Sequence, residues 1–191
     1  MAGVSSGYGQ NFKACLRLGV STSQVSGDDL GGFDKIGFAG GAFASLATSE
    51  KFSWEMGIHY VEKGSRKAAN PGKGDYRFYL MALQYMEVPV LLRYHKDNFI
   101  FGFGPSFGAL IGSKEKDQYG DIPYNPPRPF NKTELNANLT IAYNLGERWE
   151  FQWRLDNSIL PIRPHAAGAV YRWNRGQYNN VLMFMLGYNL K

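Results

Sequence analysis

The chain has 191 residues, which suits one domain spanning 1–191. Charged residues make up 19%, below the roughly 25% of a soluble globular chain, while aromatics reach 15% and glycine contributes 23 residues. The net charge of +5 is scattered without a Lys/Arg-rich run, so nucleic acid is not an expected partner. A single cysteine, Cys15, excludes an internal disulfide and a Cys-based zinc site. No stretch reaches about 18 uninterrupted apolar residues, which excludes a transmembrane helix. The mean hydropathy of −0.33 matches a soluble protein. A strand pattern that alternates apolar-out and polar-in averages to the same value. Met1-Ala2-Gly3 followed by polar residues reads as an artificial start or as a mature start, so an export signal is expected to have been removed.

Period two dominates the chain. The first predicted strand runs from about Phe12 to Val20, with Phe12, Ala14, Leu16, Leu18 and Val20 on one face. The second, about Ile36 to Leu46, is rich in Gly and Ala, and its facing is ambiguous. The third runs from Phe52 to about Val61. There Phe52, Trp54, Met56, Ile58 and Tyr60 alternate with Ser53, Glu55, Gly57 and His59. The fourth spans about Tyr76 to Tyr94, and Pro89 predicts a bulge in it. The fifth, about Phe99 to Ile111, sets Phe99, Phe101, Phe103 and Phe107 against Gly102, Gly104, Ser106 and Gly108. Glu134 to Leu145 alternates most cleanly. Trp149 to Asp156 repeats the pattern after the hairpin Gly146-Glu147-Arg148. The eighth strand runs from about Asn180 to Leu190.

The connections alternate in length. Ala47 to Lys51, His95 to Asn98 and Gly146 to Arg148 are short. Ser21 to Lys35, Glu62 to Asp75, Gly112 to Asn131 and Pro161 to Tyr178 are long. Short turns at one end and long loops at the other mark an eight-stranded antiparallel up-and-down transmembrane β-barrel, with strands from about residue 11 to 190. Phe12, Phe52, Trp54, Tyr94, Phe99, Tyr143, Trp149 and Tyr188 fall near strand ends on the short-turn side. Amphipathic rings concentrate where hydrocarbon meets water, so they are read as a lipid-facing aromatic girdle.

Eight strands leave an interior just wide enough for side chains, and Trp, Phe and Leu from every strand would overfill it. The polar face is therefore expected to point inward. It collects Lys13, Arg17, Arg93 and Arg154 with Glu55, Glu87, Glu134, Glu150 and Asp156. Buried charges need partners, so this set is read as an ion-paired lumen network that closes the pore.

Nothing in the spacing suggests catalysis. His59, His95 and His165 have no evident Ser or acid companions, and no HExxH, GxSxG or P-loop pattern occurs. Gly102-Phe103-Gly104 lies inside a strand with no helix after it. Gly27-Asp28-Asp29-Leu30-Gly31-Gly32 lacks the alternating acids and terminal Glu of a calcium loop and reads as a solvated turn. No catalytic residue, cofactor or metal is expected. The proline-rich stretch Gly120 to Pro129 is a stiff loop that could present a recognition surface.

Two stretches carry a resemblance: Tyr60-Val61-Glu62-Lys63-Gly64-Ser65-Arg66-Lys67 and Tyr85-Met86-Glu87-Val88-Pro89-Val90-Leu91-Leu92-Arg93-Tyr94. With Leu18-Gly19-Val20-Ser21, Gly31 to Phe38 and Ser49 to Glu55 before them, the chain resembles the PorT-like outer membrane β-barrel proteins of Bacteroidetes from about Cys15 to Tyr188. The resemblance implies an eight-stranded barrel in the outer membrane of such an organism, with lipid and an envelope protein as partners. For the founding member it implies a link to type IX secretion. It transfers no catalytic residues. Two function classes stay open: a structural or interaction barrel, and a ligand-binding barrel that uses its loops or upper lumen. A soluble lipocalin-like carrier is a distant third.

Overall fold

Period-two alternation is realised as eight long antiparallel strands and one short one. The computed structural model describes residues 12–122, 128–164 and 176–190. The strands are β1 (Phe12–Ser26), β2 (Lys35–Ala47), β3 (Phe52–Lys67), β4 (Tyr79–Lys96), β5 (Phe99–Asp117), β6 (Gly120–Asp121), β7 (Thr133–Leu145), β8 (Trp149–Ser158) and β9 (Tyr178–Leu190). Each long strand pairs antiparallel with its chain neighbours, and β9 pairs back onto β1 from Ala14↔Leu190 to Ser26↔Tyr178. That last ladder closes the sheet and removes its edges. The short β6 only extends β5, through Lys116↔Asp121 and Asp117↔Gly120.

The short turns sit at one end. The β4–β5 connection is the pair Asp97-Asn98, with Asp97 at φ 54°, and the β7–β8 hairpin uses Gly146 at φ 86°. Both are left-handed conformations that tight hairpins need. Three strands run further toward the long-loop end than the alternation predicts. β1 continues to Ser26, β3 to Lys67 and β5 to Asp117. Apart from Val25, these extensions carry polar side chains or glycine on both faces. Ladder hydrogen bonds do not need an apolar face, so strand continues where the sequence pattern fades.

The apolar face points outward, as the narrow lumen requires. Leu16, Leu18, Val20, Phe101, Phe103, Leu139 and Phe151 are exposed, whereas Arg17, Glu55, Asn136, Asn138 and Arg154 are buried. Three expectations need correction. Lys13 has the inward parity of Arg17 but is exposed, because it lies one residue from the end of β1. Pro89 causes no bulge. The β4–β5 register shifts at Gln84/Tyr85 instead, and Pro89 keeps its partner Ser106. A proline removes one donor but adds no residue, so the β3–β4 ladder merely lapses between Met56↔Val90 and His59↔Glu87. Finally, the interior is not polar throughout. Val25, Val61, Met81, Leu83, Tyr85, Ile162, Val181, Met183 and Met185 form a buried apolar cluster toward the long-loop end.

Candidate functional site

The interior charges gather into two clusters. The first lies toward the short turns. Arg17 on β1 donates to Glu55 on β3 through two parallel bonds, Nη1 to Oε1 at 2.9 Å and Nη2 to Oε2 at 2.6 Å. Its Nε donates to Glu150 Oε1 on β8 at 3.1 Å. Arg93 on β4 closes a ring, donating to Glu55 Oε2 at 2.6 Å and to Glu150 Oε2 at 2.7 Å. Two guanidiniums and two carboxylates thus span four strands, all buried. Bidentate guanidinium–carboxylate geometry is the strongest form of such pairing.

The second cluster lies nearer the long loops. The Lys63 ammonium on β3 donates to Glu134 on β7, bridges to Glu87 on β4, and lies 3.5 Å from Asp156 Oδ1 on β8. Glu87 also accepts from Ser106 Oγ at 3.2 Å and from Asn136 Nδ2 at 3.2 Å. Glu134 accepts from Asn179 Nδ2 at 2.6 Å. His59 Nε2 is 3.5 Å from Glu87 Oε2. The carboxylates of Glu87, Glu134 and Asp156 lie within 4.8 Å of one another, a spacing that could hold a metal ion. Here the Lys63 ammonium supplies the cation to all three.

Between the clusters, Arg154 reaches across from β8. Its guanidinium is 5.3 Å from the Phe43 ring, whose centroid is 4.4 Å from that of Arg17. Arg154 Nη2 comes only to 3.9 Å from Glu55 Oε1, and none of its nitrogens has a hydrogen-bond partner among the described residues. Of the nine charges expected in the lumen, Arg17, Glu55, Glu87, Arg93, Glu134, Glu150, Arg154 and Asp156 are buried inside the barrel, and Lys13 is not. Lys63 was missed, since the third strand was expected to end near Val61. Its parity was legible: Glu55, His59 and Lys63 share one face of β3.

The aromatic residues at the short-turn end point outward and pair across neighbouring strands. Phe52 faces Tyr94 with centroids 5.2 Å apart, Phe99 faces Tyr143 at 5.0 Å, and Trp149 faces Tyr188 at 5.0 Å. Trp54 is also exposed. Such cross-strand aromatic pairs stabilise a sheet by themselves.

Of the histidines, His59 is buried in the second cluster, and His165 lies outside the described residues. His95 Nε2 is 2.7 Å from Ser53 Oγ at the short-turn end. Among the described residues no carboxylate hydrogen-bonds its other ring nitrogen, so the pair lacks the third member of a nucleophilic triad.

At the long-loop end, Arg163 fastens the mouth. It donates to Glu115 at 3.0 and 2.9 Å, to Gln177 at 2.5 Å and to Tyr79 at 3.2 Å, and lies 4.5 Å from the Phe130 ring centroid. The neighbouring Ile162 is buried in the apolar cluster. Beside this latch lies a cavity of about 380 Å³ bordered by Leu30, Lys67, Arg77, Phe78 and Tyr79. Hydrogen bonds from Arg77 and Lys67 hold the Asp75 carboxyl well below the usual carboxylate range. The turn Gly27 to Gly32 is built on Asp28, whose Oδ1 accepts the Leu30 N–H at 3.0 Å. The proline-rich loop is described only in part, since residues 123–127 lie outside the described residues.

A closed antiparallel barrel with an apolar outer face, a filled charged interior and long loops at one end is the architecture of a bacterial outer-membrane protein. The match with known proteins agrees: residues 8–162 fit the family described as outer membrane protein beta-barrel domain, and the chain belongs to that family. Its place is the bacterial outer membrane, with the short turns on the periplasmic side. Among solved structures it is similar to Ail, the attachment invasion locus protein of Yersinia pestis, in complex with the heparin analogue sucrose octasulfate. The TM-score is 0.51 at 11% identity, covering 94% of this chain and 99% of that one. It is similar also to Neisserial surface protein A, with a TM-score of 0.51 at 9% identity, covering 93% and 96%. At such identities the likeness concerns the fold. No protein of curated function matches the chain.

Proposed function

We propose that this chain is a non-enzymatic outer-membrane barrel with a structural or interaction role, an accessory subunit of a cell-envelope or secretion complex. The observation that carries this reading is the ion-paired interior. A lumen crossed by the Arg17–Glu55–Glu150–Arg93 ring offers no aqueous path, so the barrel serves as a rigid anchor for its loops. The interior charges, Lys63 among them, form the plug, and the paired rings at the periplasmic end form the girdle that fixes its depth. Residues 1–191 make one barrel domain. The stretches around Tyr60 to Lys67 and Tyr85 to Tyr94 favour the PorT-like proteins of Bacteroidetes as its nearer kin. No catalytic residue, cofactor or nucleic acid enters this reading.

The test is twofold. In a planar lipid bilayer the purified barrel should give no conductance steps. Affinity purification from the native envelope in mild detergent should bring down a stoichiometric protein partner. Reproducible conductance, or an envelope preparation with no partner, would overturn the interaction role. A second reading, a ligand-binding barrel, is favoured by the cavity beside the Arg163 latch. The sulfated sugar in the Ail complex shows that a barrel of this shape can take an anion. A saturable shift of the isolated barrel with sucrose octasulfate would support it.

A further inference from the structure

The β2–β3 ladder stops early. Pairing runs from Ala47↔Ser53 to Ala39↔Val61. Yet β2 starts at Lys35 and β3 continues to Lys67. Beyond Val61, β3 carbonyls accept from β1 side chains. Ser21 Oγ donates to the Glu62 carbonyl at 2.6 Å, and Ser23 Oγ to the Gly64 carbonyl at 3.0 Å. Gly64 lies just beyond the end of the ladder. It sits at φ 136°, and a Cβ there would fall 2.0 Å from the Met81 carbonyl oxygen. Residues 35–38 and 62–67 thus run with no ladder between them. The Glu62 side chain bridges the start of the gap. It accepts the Phe38 N–H at 3.3 Å and the Tyr60 hydroxyl at 3.0 Å, and lies 3.8 Å from Lys35 Nζ.

The segments that continue from both strands line a cavity of about 590 Å³. Asp29, Leu30 and Asp34 come from the β1–β2 loop, and Arg66 and Lys67 from the end of β3. Two acids thus share a cavity with two bases. Lys67 is paired with Asp75 at 2.8 Å, whereas Arg66, Asp29 and Asp34 form no ion pair among the described residues. On the membrane side of the gap the outer surface turns apolar. Ile36 is 71% and Phe38 47% exposed, and the Phe38 and Tyr60 rings lie 6.2 Å apart. Along this wedge the surface passes from hydrocarbon, through a polar tie, to a doubly charged cavity. In an outer membrane with its long loops outside, that is the order of acyl chain and headgroup in the outer leaflet.

We propose that the β2–β3 wedge binds one membrane lipid whose headgroup carries both a phosphate and a primary amine. The phosphate pairs with Arg66 and Lys67, the ammonium with Asp29 and Asp34, and the acyl chains lie along Ile36, Phe38 and Tyr60. The charge pattern selects this chemistry. A purely anionic headgroup leaves both carboxylates facing its negative charge, and a quaternary amine has no N–H to donate to them. The site is separate from the interior ion pairs, so it stands whether or not the barrel has an envelope partner.

The experiment reconstitutes the barrel in nanodiscs of equal parts phosphatidylethanolamine, phosphatidylcholine and phosphatidylglycerol, and counts retained lipid by native mass spectrometry. Wild type should keep phosphatidylethanolamine over the others by about tenfold, a modest difference in binding free energy. Asp29→Asn with Asp34→Asn, and separately Arg66→Gln with Lys67→Gln, should each abolish the preference. All four positions are solvent-accessible, and Asn tolerates the left-handed φ of 61° at Asp29, so both double variants should fold. Lys51→Gln, in a periplasmic turn, should keep the preference. Equal retention of the three lipids, or wild-type preference in both double variants, would overturn the proposal. Displacement by soluble phosphoethanolamine at the same concentration would overturn the lipid as the occupant and leave a soluble ligand.

Discussion

The two charged clusters inside the barrel both pair buried carboxylates with buried cations but differ in redundancy. In the periplasmic ring, Glu55 and Glu150 each hold both Arg17 and Arg93. Either arginine can be lost and each carboxylate keeps a partner. In the upper cluster one ammonium, Lys63, faces Glu87, Glu134 and Asp156. Neutral donors from Ser106, Asn136 and Asn179 share the load, but among the described residues no second Lys or Arg pairs with these carboxylates. The ring is a closed circuit, and the upper cluster hangs on one side chain.

That difference sets the largest expected effect. Lys63→Met leaves three buried carboxylates around an apolar tip and should cost about 3–5 kcal/mol, the range for breaking a buried ion pair. A urea titration in lipid vesicles, followed by the unboiled mobility shift on SDS gels, reads it directly. Wild-type stability for this variant would mean that the carboxylates hold protons or other donors and that the contrast between the clusters is false.

Leu139→Arg puts the opposite question: what an unpaired charge costs on the outer face. Leu139 is exposed in the middle of β7, between Phe103 and Leu155 on the adjacent strands. A charge at the bilayer midplane costs about 2–4 kcal/mol. The same titration should show a loss in that range, alongside slower insertion. Undiminished insertion and stability would mean that this face does not meet lipid.

Arg93→Met should cost less, about 1–3 kcal/mol, because Arg17 still satisfies both glutamates of the ring. The informative quantity is the ranking. If Arg93→Met proves as damaging as Lys63→Met, redundancy in the ring has no energetic value.

The facing of these residues was legible in the sequence because one face of most strands is uniformly apolar. Leu135 to Leu145 on β7 and Trp149 to Leu155 on β8 separate the two faces, with Ala142 as the lone apolar residue on the inward side. Strand ends were not legible where polar residues take over both faces, as from Ser21 to Gln24 and from Glu62 to Lys67. That loss removed Lys63 from view, since Gly64-Ser65 reads as loop. The apolar upper interior was hidden for the opposite reason. On β9, Val181, Met183 and Met185 face inward while Leu182, Phe184 and Leu186 face outward, so alternation carries no contrast. The premature end of the β2–β3 ladder at Val61 leaves no mark in the residue pattern, and the positive φ at Gly64 just beyond it is equally unannounced by composition.

Arg154 offers the smallest effect and the sharpest division between the clusters. It is fully buried between them, yet among the described residues its closest carboxylate oxygen is 3.9 Å away, and neither Nε nor the two Nη atoms has a hydrogen-bond partner. A buried cation in that position gains little from pairing and bears its full desolvation cost. Its contact with the Phe43 ring at 5.3 Å offsets only part of that cost. Arg154→Met keeps an unbranched apolar stem in place of the arginine methylenes and removes the charge. Stability should then stay within about 1 kcal/mol of wild type or rise, as replacements of buried charges by apolar residues often show. A loss as large as that of Lys63→Met would mean that Arg154 joins the two clusters through bonds carried by ordered water. The lumen would then be a single network, and the independence of ring and upper cluster would fail with it.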